Sequence, residues 1–122
     1  MKRIISLLVC VFLLTACDSN ISYETIDSNV AMTLIEQNAV VIDVRTADEY
    51  ATGHIDGSIN IPVENISSVD YEKDTLIIVY CASGMRSASA AETLIDLGYT
   101  SVHNLDGGLI NWGFDLVEIA ED

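Results

Sequence analysis

Basic side chains are scarce in this chain of 122 residues: 5 Lys and Arg stand against 19 Asp and Glu, a formal net charge of −14. A nucleic-acid binder needs a cationic face to displace counterions from phosphates, so that class is excluded. Proline occurs once, and no Pro-, Gly- or Ser-rich stretch offers a linker between domains. Three cysteines, one of them inside an apolar N-terminal run, are too few for a fold built on disulfides. There is no internal repeat and no low-complexity segment, and no apolar run reaches the ~20 residues of a membrane-spanning helix. Hydrophobic residues make up 50%, which excludes a disordered acidic tail. The length suits one domain with a real core and is too short for two.

The N-terminus reads as a leader. Lys2 and Arg3 precede an 11-residue run, Ile4 to Leu14, that is apolar apart from Ser6, the pattern of a signal-peptide core. It ends in Leu14-Thr15-Ala16-Cys17, followed by Asp18-Ser19-Asn20. This resembles the bacterial lipoprotein lipobox, which implies a signal peptide over residues 1–16, cleavage before Cys17, diacylglycerol on the Cys17 sulfur and fatty acyl chains such as palmitate. Ordinary signal cleavage, with Cys17 a spare thiol, fits less well, because Leu14 is bulky where such a site wants a small residue. Residues 17–21 then form the lipidated cysteine and a short tether. Loss of the leader leaves 3 basic against 19 acidic side chains. Anionic headgroups repel such a domain, so the acyl chains supply the membrane attachment. Asp18 resembles the inner-membrane retention signal of some Gram-negative lipoproteins. The expected location is the bacterial cell envelope, on the outer face of the cytoplasmic membrane or in the periplasm.

From residue 22 to 119, short apolar runs alternate with helical stretches, ahead of a tail at 120–122. Tyr23 to Ile26 reads as a strand. Asp27-Ser28 offers an N-cap for a helix carrying Val30, Leu34 and Ile35 and stopping near Asn38. Val40 to Val44 is apolar on both faces except Asp43, and Thr75 to Tyr80 repeats the pattern; such runs suit strands covered on both sides, as in parallel sheets. Between them lie a short helix (Thr46 to Ala51), a short strand (Ser58 to Ile61) and a polar, irregular stretch over 63–74 with room for one helical turn. Ser87 to Leu97 carries Ala90, Leu94 and Leu97 at helical spacing, with Gly98 as its stop. Ser101 to Asn104 is a last strand, and Asp106 caps a final helix whose Leu109, Ile110 and Trp112 face the core. The alternation predicts an α/β sandwich around a parallel sheet.

In open α/β sheets ligands sit at the carboxyl ends of the strands. The most apolar strand ends at Tyr80, and Cys81-Ala82-Ser83-Gly84-Met85-Arg86-Ser87 leads from it into a helix. Small residues and Gly84 let the backbone curl so that successive N–H groups point inward as an anion nest. The helix N-terminus and Arg86 add positive potential. A thiol there titrates below its free value of about 8.5 and is a thiolate near neutral pH. A cysteine at a strand end is otherwise most simply a small core hydrophobe; the loop is what marks Cys81 as a nucleophile.

Three stretches in order, Asp43-Val44-Arg45 with Glu49-Tyr50, then Gly53-His54-Ile55-Asp56-Gly57-Ser58-Ile59-Asn60-Ile61-Pro62, then Cys81 to Ser87, together with the Asp106-Gly107-Gly108 turn, resemble the rhodanese family over Tyr23 to Trp112. The resemblance implies a three-layer α/β/α sandwich with a five-stranded parallel sheet. It implies a sulfurtransferase in which Cys81 takes sulfane sulfur from thiosulfate or another persulfide donor and passes it to cyanide or a thiol, with Ala82, Ser83, Gly84, Met85, Arg86 and Ser87 binding the substrate. No metal and no organic cofactor is expected. Dual-specificity phosphatases of the cell-cycle type, on the same fold, place one residue more between Cys and Arg than the four found here, Ala82 to Met85, and a phosphoryl group is crowded out. The other class is a membrane-tethered sulfur-carrier or partner-binding module without significant turnover.

Two roles are open for Arg86: drawing in the sulfonate of thiosulfate, or bracing the loop against a carboxylate. Arg45 is expected to tie Asp43 or Glu49 beneath the loop, with anion guidance as its alternative. Asp43 is expected to accept loop N–H groups, since a buried carboxylate needs partners. His54 reads as a hydrogen-bonding turn residue rather than a general base. His103 shares no metal-ligand pattern with it. Met85 puts a neutral side chain beside the nucleophile of a strongly negative domain, so a dianionic donor meets long-range repulsion.

Overall fold

A computed structural model describes residues 21–119. The expected leader, lipidation at Cys17, nearly all of the tether and the tail at 120–122 lie outside the described residues. Five strands run β1 (Glu24–Ile26), β2 (Val40–Asp43), β3 (Ile59–Asn60), β4 (Ile77–Tyr80) and β5 (Val102–Leu105). They form one sheet in the order β1-β5-β4-β2-β3, with every pair parallel. Val79 lies opposite Ile42 on β2 and Asn104 on β5, so β4 is central and covered on both faces.

Alternation along β4 divides the core in two. Ile77 and Val79, continued by Cys81, face a layer formed by α3 (Met85–Asp96) and a 3-10 helix over Val63–Ser68, with Ala90, Ala91, Leu94 and Ile66. Ile78 and Tyr80 face the other way, toward α1 (Ser28–Glu36) and the Ile55 turn, with Ala31, Leu34 and Leu105. A period of two thus buries an apolar run in two separate clusters. The three-layer α/β/α sandwich with five parallel strands agrees with the sequence.

Local signals start and stop the helices. The Asp27 carboxylate accepts the Val30 N–H at 2.9 Å and starts α1. Thr46 and Glu49 form a reciprocal capping box that starts α2 (Ala47–Thr52). Asn38 takes a left-handed φ of 71° just beyond α1. Gly98, at φ 104°, stops α3.

Two expectations are corrected. Helix α3 begins at Met85 rather than Ser87, which puts Met85 and Arg86 in its first turn. The last helix is a single 3-10 turn, Gly108–Asn111, entered through left-handed Gly107 and not capped by Asp106. At three residues per turn the spacing of 109, 110 and 112 no longer describes one face. Leu109 and Trp112 pack on the core, whereas Ile110 is 76% exposed.

Candidate active site

The site lies at the carboxyl end of the sheet, where β4 passes into α3. Gly84 adopts φ 103° and occupies the N-cap position, and no side chain caps the helix there. The Cys81 sulfur takes that place. Gly84 N–H donates to Sγ at 3.1 Å, Ser87 N–H at 3.4 Å and the Ser87 hydroxyl at 3.4 Å. Burial pushes the thiol up, but the hydrogen bonds from the Ser87 side chain and from the Ser87, Gly84 and Ser83 backbone outweigh it, and its pKa lies below the ordinary value. The pairing satisfies N–H groups at the helix start and stabilises the thiolate through the same contacts.

Of the six residues 82–87, Gly84 and Ser87 make hydrogen bonds to the bare sulfur in the structure. The Ser83 backbone adds a weaker contribution to the thiolate. Ala82 instead gives its carbonyl to Ile110 N–H at 3.1 Å, Ser83 lies at the surface, and the Met85 side chain is 80% exposed. Cys81 itself is 1% exposed, so the thiol that the loop pattern marks as ready is recessed beneath its own loop.

Arg86 braces the loop. Its Nη1 donates to Glu49 Oε1 at 2.9 Å and its Nη2 to Oε2 at 3.1 Å, a two-pronged pair to α2. Arg86 and the Thr46 backbone hold the Glu49 carboxyl down at about 2. The hydrogen bond that Arg86 donates to Glu49, together with the Glu49 charge, outweighs desolvation and raises the pKa of Arg86 further.

Asp43, at the end of β2, is fully buried and pairs with Arg45, not with N–H groups of residues 82–87. Its Oδ1 accepts the Arg45 backbone N–H at 2.9 Å and Nε at 3.0 Å, and its Oδ2 accepts Nη2 at 2.7 Å. The same Nη2 donates to the Gly53 carbonyl at 2.6 Å, and Asn60 Nδ2 donates to the carbonyls of Asp43 and Arg45. Arg45 thus locks the β2 end to the turn after α2. His54 is a turn residue: its ring stacks on Tyr50 with centroids 3.7 Å apart, and Nδ1 lies 2.7 Å from the Tyr50 carbonyl. His103, on β5, has Nδ1 3.2 Å from the Ile77 carbonyl.

Two contacts of the loop escaped the sequence reading. Gly108, at φ 58°, packs against the loop so closely that a Cβ there would overlap the Cys81 carbonyl oxygen and lie 2.7 Å from the Ala82 carbonyl carbon. Leu109 N–H then donates to the Cys81 carbonyl at 3.0 Å. The paired glycines at 107 and 108 were the available signal, though not the identity of their partner. Asn104, 5% exposed on β5, donates from Nδ2 to the Gly84 carbonyl at 3.3 Å, while its Oδ1 has no hydrogen-bond partner.

Comparison with known proteins gives one answer. The model of the rhodanese-like domain matches residues 28–114. The thiosulfate sulfurtransferase GlpE of Pseudomonas fluorescens strain SBW25 is 38% identical over 94 residues, covering 74% of this chain and 84% of that protein. The rhodanese-related protein of Thermoplasma volcanium superposes with a TM-score of 0.70 at 34% identity, over 78% of this chain and 98% of that one. The rhodanese-like domain protein of Staphylococcus aureus gives 0.71 at 29% identity, over 80% and 99%. A parallel five-stranded sheet with a cysteine loop at its carboxyl end, and relatives of this closeness, establish that the chain belongs to the rhodanese family.

Proposed function

We propose that the chain is a sulfurtransferase that carries sulfane sulfur on Cys81. The observation that carries this reading is the set of three donors, Gly84 N–H, Ser87 N–H and the Ser87 hydroxyl, converging on Sγ. With thiosulfate as donor, the Cys81 thiolate attacks the outer sulfur. The new S–S bond forms as the old one breaks, sulfite leaves with the electron pair, and Cys81–S–S⁻ remains. A thiolate of lowered pKa and a stable leaving group favour such a displacement. Attack on the outer sulfur by cyanide or a thiol then restores the enzyme. The loop N–H groups stabilise the anion as an oxyanion hole does.

The lipobox-like Leu14-Thr15-Ala16-Cys17 supports placing the enzyme on a bacterial envelope membrane, tethered through lipid on Cys17. Labelling with a radioactive fatty acid, lost on Cys17→Ser, tests this. Retention of the label after the substitution rejects the anchor.

Thiocyanate formation from thiosulfate and cyanide, with mass analysis of the loop peptide, tests the chemistry. Wild type gains about 32 Da, one sulfur atom, on Cys81 and turns over, and Cys81→Ser does neither. A second reading, a sulfur-carrier or partner-binding module, draws on the 1% exposure of Cys81; loading without turnover is its signature. Absence of both rejects the sulfurtransferase.

A further inference from the structure

The described residues hold three cations, Arg45, Lys73 and Arg86, and each is already engaged. Arg45 is buried against Asp43. The Lys73 ammonium sits 4.2 Å from the centre of the Tyr99 ring, at the opposite end of the sheet from Cys81. Arg86, the only one of them in the Cys81 loop, gives both terminal nitrogens to Glu49. A carboxylate held ionised in this way cancels the charge that would draw a dianion toward the sulfur. Beside it the loop exposes the apolar Met85, and the adjoining 3-10 turn exposes Ile110. The cradle therefore offers an incoming donor neutral N–H groups and an apolar rim, on a strongly acidic protein.

We infer that Glu49 is a specificity-determining residue: by occupying Arg86 it turns the site away from thiosulfate and toward an organic persulfide, R–S–SH, whose R group carries no negative charge. This inference rests on the sulfurtransferase reading and names its donor class. The transfer balances without an added oxidant or reductant. The Cys81 thiolate attacks the outer sulfur, the Sγ–S bond forms, the donor S–S bond breaks, and R–S⁻ leaves with the electron pair. The proton stays on the transferred sulfur and is lost to solvent when Cys81–S–SH ionises. Glu49 acts through Arg86 and touches no reacting atom; it is a positioning residue.

The test compares loading of Cys81 by thiosulfate and by 2-hydroxyethyl persulfide, using rapid quench and mass measurement over a range of donor concentrations. Wild type half-saturates at a lower concentration of the persulfide than of thiosulfate. Glu49→Gln keeps a residue that can complete the capping box with Thr46 and frees the Arg86 charge. Its half-saturating thiosulfate concentration falls about three- to tenfold, while that for the persulfide stays within about twofold. Adding Arg86→Gln to Glu49→Gln abolishes the gain, as coupling through one partner requires. If Glu49→Gln does not fold, Glu49→Ala, in which the Thr46 hydroxyl can still cap the backbone N–H of residue 49, gives the same comparison. An unchanged or raised thiosulfate value, an equal shift for both donors, or a gain that survives loss of Arg86 overturns the inference and leaves the sulfurtransferase standing. Failure of both donors to load wild type overturns both.

Discussion

Gly108 and Cys81 meet backbone to backbone: the space a Cβ on Gly108 would need is filled by the Cys81 carbonyl oxygen. Cys81 is thus held by a segment 27 residues further along, and the Leu109 N–H fastens the same carbonyl. Gly108→Ala combines a backbone overlap with a left-handed φ, so it displaces the loop. We expect a loss of about 2 kcal/mol or more in urea unfolding, with sulfur loading impaired even where folding survives. A variant as stable and active as wild type contradicts this contact.

Ser87 donates twice to the sulfur, from backbone and hydroxyl. Ser87→Ala removes the hydroxyl and raises the Cys81 pKa. One hydrogen bond of about 0.5–1.5 kcal/mol corresponds to a two- to tenfold lower rate of iodoacetamide alkylation at pH 7. The rate recovers at alkaline pH, which separates loss of thiolate from loss of access. A pH profile that does not move rules out a role for the hydroxyl in ionisation.

Asp43→Asn leaves the buried Arg45 guanidinium without its counter-charge. Breaking a buried pair from one side costs about 3–5 kcal/mol, and thermal unfolding should fall by many degrees. Replacing both residues with apolar side chains of similar size should be far milder. Equal damage from the single and the double change contradicts this assignment.

Glu49 sets an acid limb on stability. Its carboxyl is lowered to about 2 from an ordinary 4.5, first by Arg86 and then by the Thr46 backbone. A depressed carboxyl contributes stability above its unfolded pKa and loses it as pH falls through the folded one. The contribution is complete above pH 4.5 and disappears toward pH 2. The pair is more than a third exposed, so the effect is modest. Melting temperature measured across that window should drop more steeply in wild type than in Arg86→Gln, and parallel curves contradict the pair.

With a net charge of −14 and Arg86 engaged, thiosulfate approaches against repulsion. Added salt screens it, so half-saturation by thiosulfate should improve as ionic strength rises from about 10 to 150 mM. A value that worsens with salt means that an unpaired cation draws the donor in.

Strands β2 and β4 and helix α1 are plain in the sequence because each follows from its own residues: β-branched runs in the strands, an Asp cap and Leu34 spacing in the helix. Cys81 is legible because a strand, small residues and a glycine sit in one short stretch. The rest depends on contacts that no local rule counts. Met85 and Arg86 look like loop because the position before them is Gly84, which has no side chain to cap a helix; the N–H groups there are met by the Cys81 sulfur. The partner of Arg86 is 37 positions away, on a helix whose Glu49 reads from the sequence as a candidate partner for Arg45. Ile110 reads as core only at helical pitch, and the tighter turn after two left-handed glycines puts it outside.

Because sulfur, rather than a hydroxyl or carboxylate, closes the amino end of α3, the atom proposed to carry sulfur is also a fold-holding one. Chemical injury and structural injury should then coincide: alkylating or over-oxidising that atom is expected to unseat the first turn of a helix packed against β4. Damaged molecules would announce themselves by melting early, and a charged, sulfur-laden one would be the sturdier form.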